Sequence, residues 1–191
     1  RESSYDLIKR LKNLAEQELL SHLSVLKDSE LLYERGIYPQ STYVFKHALT
    51  QDVAYDSLLL KRRKEIHEEI GAVIEALYPD RLEEYHELLA YHYGRSVNAD
   101  KAVMYLDLAN QKAAKLNAMD EAKAYFDEAM VLLDALPETE ENRQRRISLL
   151  VNQGIVIMLL FKSSEYYKFL TRYEPMARNL GNPELLGAFY A

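Results

Sequence analysis

Apolar residues recur at intervals of three and four along most of this chain, and one stretch near its start breaks that rhythm. Leu7, Ile8, Leu11, Leu14, Leu19, Leu20, Leu23 and Leu26 keep the helical interval, which predicts amphipathic helices over 4–13 and 15–27, broken once between them. The pattern then shortens. Leu31–Tyr33 and Thr42–Phe45 are brief, β-prone runs separated by Gly36 and Pro39. Glycine permits a positive φ and proline presets a turn, so the two runs predict a β-hairpin.

Helical spacing resumes at 52–60 and continues over about 61–77, where Ile66, Ile70, Val73, Ile74 and Leu77 form one stripe. Tyr78-Pro79-Asp80 stops it, because proline disfavours helical geometry in the residue before it. A domain boundary is expected there, giving a first region over 1–79 and a second over 80–191. The second region reads as helix at about 82–96, 100–116, 119–135, 142–161 and 164–179, with another start at 183. Asp100 and Asp120 are expected as N-caps. Pro137–Asn142 is expected as a loop whose acids suit the N-terminus of the following helix. Gly181-Asn182-Pro183 should end one helix and open the next. The predicted class is mainly α: helices and a small hairpin describe a winged-helix-like unit, followed by an α–α array.

Composition narrows the function. With 191 residues the chain can bury a substantial core. A net charge of −6 argues against a nucleic-acid partner, which needs a basic face. The absence of cysteine excludes a disulfide framework and a thiolate metal site, and suits a cytoplasmic location. The most apolar stretch, Ile155–Phe161, is far short of the roughly 20 residues that a bilayer demands, so no membrane partner is expected. The chain opens at Arg1 and ends at Ala191 in what reads as the start of a further helix; both ends are expected to be cuts through a longer protein.

An internal repeat organises the helices. Ala122, Phe126 and Ala129 stand at i, i+4 and i+7, preceded by Ala109, Asn110 and Ala113. Gly154 and Ile157 precede Tyr166, Leu170 and Tyr173 in the same way, since 122−110 and 166−154 both equal 12. Ala188 follows Gly154 by 34 (188−154), while Asn110 and Gly154 are 44 apart, which predicts an insertion near 137–146. A small residue on one helix admits its partner closely, and large residues on the second plug the gap between hairpins. The segment resembles degenerate tetratricopeptide repeats, although Trp is absent and Tyr173 stands where a small residue is usual. An irregular helical bundle is the alternative. The resemblance implies a curved solenoid whose concave face takes a protein or peptide partner. Tyr91, Tyr93, Tyr105, Tyr125, Tyr166 and Tyr167 are candidates for that groove, with the core the expected place for most.

The stretch from Glu30 to Leu49, running on through Thr50–Tyr55 to Arg62-Arg63 and His67, resembles the module that follows the nucleotide-binding domain of STAND-type ATPases. The likeness is strongest over Tyr43–His67 and points to large bacterial adenylate/guanylate cyclases with a repeat tail. The resemblance implies a non-catalytic coupling segment, with ATP or ADP and Mg held by an upstream ATPase domain that is its partner in the same chain. The alternative output is that of a STAND-type transcriptional regulator. It also implies a role for His47: Phe45-Lys46-His47 falls on the motif whose imidazole reaches back to the phosphates of ADP. Ala48 departs from that motif's Met-His-Asp form. A His that satisfies the next helix or a local carbonyl is the other reading.

Other chemistry is weaker. Lys61-Arg-Arg-Lys64 could touch phosphates, but Glu65, Glu68 and Glu69 follow, so a solvated helix face or a contact within the parent is expected. His86 and His92 are six apart, which misses the i, i+4 geometry of a zinc helix, and Glu83-x-x-His86 occurs singly. His67 heads an apolar stripe with Ile70 and Ile74 and is expected to be a half-buried structural residue. No glycine-rich phosphate loop or Gly-x-Ser-x-Gly elbow is present, and no catalytic or metal-ligating residue is assigned.

Overall fold

A computed structural model describes residues 2–12, 14–160 and 163–191, and the chain divides into two compact units. One runs to Tyr85 and includes Arg95–Val97; the other holds His86–Gly94 and Asn98–Ala191, so the change of unit falls beyond position 79. The described residues are mainly α-helical, with one small antiparallel sheet.

In the first unit, strand β1 (Glu2–Ser4) leads into helices α1 (Tyr5–Lys12) and α2 (Glu16–Asp28). Strands β2 (Leu32–Arg35) and β3 (Thr42–Phe45) form the hairpin that the sequence predicts. Strand order is β1-β3-β2, with Ser3 opposite Tyr43 and Glu34 opposite Tyr43 on the other side. β1 is a departure from the helix expected to begin at residue 4. Glu2-Ser3-Ser4 has little strand propensity of its own, and its pairing with residues 42–44 supplies what propensity lacks.

Two backbone devices set the hairpin. Glu30 adopts φ 57°, and Leu31 N–H donates to Leu26 C=O, which closes α2 with a left-handed cap and reverses the chain. Gly36 then takes φ 86° in the loop, a value that a β-carbon would penalise. Tyr5, Leu19, Leu23 and Tyr43 make the core beneath the sheet, with Ile8, Leu14, Leu20 and Leu32 packed around them. Glu34 ties the hairpin to α2, accepting from Tyr43 Oη at 3.1 Å and pairing with Lys27.

Helix α3 (Ala48–Asp56) starts four residues before its predicted position, with His47 at the cap, and α4 (Leu60–Leu77) follows. α1 packs against α4, whose inward face carries His67 and Ile74. Helix was expected from 82. A 3-10 segment spans Pro79–Tyr85 instead, kinked at Arg81 (φ −136°) and bracketed by Tyr78 and Tyr85 stacked at 4.3 Å.

Among its described residues the second unit holds helices and no strand. It contains α5 (His86–Tyr93), α6 (Ala99–Lys115), α7 (Met119–Ala135), α8 (Glu140–Asn152), α9 (Gly154–Leu159), α10 (Ser163–Asn179) and α11 (Pro183–Tyr190). α6 and α7 pair closely, and α8 packs on both α10 and α11, which gives the helical-hairpin succession that the repeat offsets suggest. The caps correct the expectation for Asp100 and Asp120. Asn98 caps α6 by accepting from Lys101 N–H at 3.1 Å, and Ala118 stands at the cap of α7 with no side-chain bond. Asp100 and Asp120 lie two positions past the cap, in the first turn, where their charge still suits the helix dipole.

A second correction concerns the long expected helix 142–161. It starts earlier, at Glu140, under a Thr139 cap that accepts from Asn142 N–H at 3.1 Å. It also breaks at Gln153 into α8 and α9. Most of the expected insertion near 137–146 is therefore helix. Phe161 and Lys162, at the end of that prediction, lie outside the described residues.

Candidate functional site

His47 lies where β3 turns into α3, and it is exposed. Its carbonyl accepts from Thr50 and Gln51 N–H at 3.1 and 3.3 Å, starting the helix, while its imidazole makes no cap bond. Lys46 beside it is held by Glu30 at 2.6 Å and sits over the Tyr33 ring. The Lys46 ammonium keeps the Glu30 carboxyl below its ordinary value, and His47 adds a smaller effect of the same sign. The helix that His47 opens is unusual. α3 has no buried residue, and Leu49 and Val53 on it are 73% and 62% exposed. Leu59 and Leu60, just beyond, are also exposed, so a run of apolar side chains follows His47 on the surface.

The basic run 61–64 is largely neutralised by its own surroundings. Arg62 bonds Glu65 and Glu69 at 3.2 and 2.9 Å. Arg63 bonds Asp56 at 3.0 Å, donates to Leu58 C=O and lies over the Tyr55 ring at 4.7 Å. A phosphate-binding face needs free cations, and these two arginines have spent their donors locally.

His67 is buried, more deeply than the half-buried position expected, with Nε2 3.1 Å from Tyr55 Oη. Burial, and then the charge of Arg95, hold its imidazole below the ordinary histidine value. His86 is 6.2 Å from the Tyr105 ring, and among the described residues no group of three or more His, Cys, Asp or Glu is arranged to hold a metal. Of the tyrosines considered for a groove, Tyr93 and Tyr105 are buried and stack at 5.4 Å. Tyr125 and Tyr166 are half-buried, while Tyr91 and Tyr167 are exposed.

A concavity that the sequence did not mark lies elsewhere. An open groove of about 630 Å³ runs across α6, α8 and the start of α11, lined by residues that include Met104, Asp107, Leu108, Arg145, Ser148 and Leu185. These are the first helices of successive hairpins. Val103 and Leu149, fully packed, form its floor. Arg145 is already engaged, bonding Asp100 at 2.8 Å and Glu141 at 2.5 Å.

Asp107 is different. Burial pushes its carboxyl above the ordinary aspartate value, against the opposing effect of a hydrogen bond from Gln111. Its Oδ1 is buried and has no hydrogen-bond partner. Nothing in the apolar spacing flags this residue, because Asp107 sits between Leu106 and Leu108 where the helical pattern predicts an ordinary outward-facing acid.

Compared with protein-family models, with curated proteins and with solved structures, the chain matches none. Among the described residues no helix is long and apolar enough to cross a membrane.

Proposed function

We propose that this chain is a non-catalytic coupling segment of a multidomain signalling protein. In this reading a winged-helix-like unit carries the nucleotide state of a STAND-type ATPase domain to a repeat-built interaction surface. The likeness noted over Tyr43–His67 supports the STAND-type arm; the architecture of that family alone suggests a parent of the bacterial adenylate/guanylate cyclase kind, with ATP or ADP and Mg bound upstream of the chain.

The observation that supports this most directly is the surface around His47. An exposed imidazole at a strand–helix junction is followed by a helix that buries none of its own apolar residues. Exposed apolar side chains such as Leu49, Val53, Leu59 and Leu60 suit a surface that another domain covers. An imidazole N–H at its edge can donate to a phosphate oxygen, and loss of that donor weakens the hold on the closed state. Coupling in both directions then follows from linkage.

The test uses the protein with its ATPase domain in place. His47→Ala is expected to speed ADP release or alter basal output, and Leu49→Asp with Val53→Asp to do the same by uncovering α3. Unchanged ADP retention and unchanged output in both variants would remove the proposal.

A further inference from the structure

We infer that the groove across α6, α8 and α11 receives a lysine or arginine side chain from a partner peptide segment, with Asp107 as its counter-ion. The inference rests on the reading of the second unit as an interaction surface and names the chemistry which that surface selects.

Three observations meet here. The first is Asp107, which lines an open groove and whose Oδ1 is buried without a hydrogen-bond partner. A buried carboxylate oxygen without a donor is costly, and a charged donor offsets that cost more fully than a neutral one. The second is the local charge. Arg145 is the cation of the groove, and it is held by both Asp100 and Glu141, which leaves Asp107 uncompensated and the neighbourhood net negative. The third is the apolar lining: Met104, Leu108 and Leu185 stand with Asp107 around the same space. A long basic side chain has an aliphatic stem for such residues and a charged head for the carboxylate.

The occupant is a chain segment because the groove continues across three successive helices, so residues on either side of the basic one have surface to lie on. A free polyamine would place one stem and one ammonium at Asp107 and leave the surface on either side uncovered. An acidic segment is disfavoured by the same charges that favour a basic one.

The experiment follows backbone amide shifts of the whole chain during titration with three amidated peptides: Ala-Leu-Lys-Leu-Ala and its versions with norleucine or glutamate for lysine. Spermidine is a fourth titrant. The lysine peptide is expected to shift amides around 103–108 and 185 and to bind at least about tenfold tighter than the norleucine peptide. Asp107→Asn, which keeps shape and removes charge, is expected to abolish that preference while leaving amide shifts far from the groove unchanged.

Equal binding of the lysine and norleucine peptides, or a preference that survives Asp107→Asn, would overturn the counter-ion assignment and leave an interaction surface standing. Spermidine binding at Asp107 without lysine-peptide binding would overturn the choice of a peptide. No shift with any titrant would overturn the inference and the interaction reading of this groove together.

Discussion

Two hairpins of the second unit, α6 with α7 and α8–α9 with α10, share an offset and differ in what fills it. In the first, Asn110 at the small-residue position donates to Ala122 C=O at 2.5 Å, and Ala109, Ala122 and Ala129 are fully buried. In the second, Gly154 takes the place of Asn110 and Tyr166 that of Ala122. A β-carbon on Gly154 would stand 3.3 Å from Tyr166 Oη, and that hydroxyl donates to Leu150 C=O at 3.1 Å. Volume has moved from one helix to its partner. The consequence is unequal order: α6 is continuous, whereas its counterpart breaks at Gln153, whose amide is fully buried with neither N nor O bonded.

Each hairpin thus holds a polar group without a partner, and position gives the two different meanings. Asp107, whose Oδ1 is buried and unpartnered, is a residue of the lining of an open groove that a ligand can enter. Gln153 is shut inside and marks a helix break.

The largest test asks whether the hairpins are one cooperative body. Phe126 of α7 is fully buried and meets Phe169 of α10 edge-to-face at 5.5 Å. Phe126→Ala is expected to cost about 3–5 kcal/mol in urea unfolding of the chain. A second transition appearing in that variant would show the hairpins folding separately.

The next test sharpens the contrast between buried amides. Gln153→Leu removes two unmet groups at similar volume and is expected to stabilise by about 1–3 kcal/mol, whereas Asn110→Leu is expected to destabilise by a comparable amount. The same sign for both, by thermal or chemical denaturation, would break the comparison.

Much of this was legible in the sequence, and the failures share a cause. The helices over 99–135 and the interhelical offset follow from spacing, because an apolar stripe must be buried against a neighbour. β1 was illegible because its stability comes from β3, about forty residues away, and its own residues are polar. The caps were misplaced by two positions because Asp100 and Asn98 both suit a helix start; the geometry chose the amide for the cap and left Asp100 free to reach Arg145. Arg146 is almost fully buried, donates to Leu133 C=O at 2.6 Å and lies over the Tyr173 ring. Tyr173, oversized for its place in the repeat, is accommodated by that arginine. A deviation in the pattern was visible, and its partner was not.

Asp107 was hidden for a related reason. Its neighbours in sequence predict exposure, and the groove it lines is shared with residues of α8 and α11, far along the chain. The smallest expected effect returns to the second hairpin. Gly154→Ala in a Tyr166→Phe background, where the nearest atom is gone, should stabilise by about 0.5–1 kcal/mol through restored helix propensity, and by less with Tyr166 present. Equal effects in both backgrounds would mean that the tyrosine does not set the limit.

The central position of β3 has its own consequence. Tyr43 is its one fully buried residue and is paired on both sides, with Ser3 and with Glu34. Because side chains alternate between faces, sliding β3 by a single residue would send that ring to water and bring Thr42 or Val44 inward. An extra residue spliced into the tip between Gly36 and Gln40 would leave both ladders in phase. The same addition between Thr42 and Phe45 would unzip the sheet from its middle.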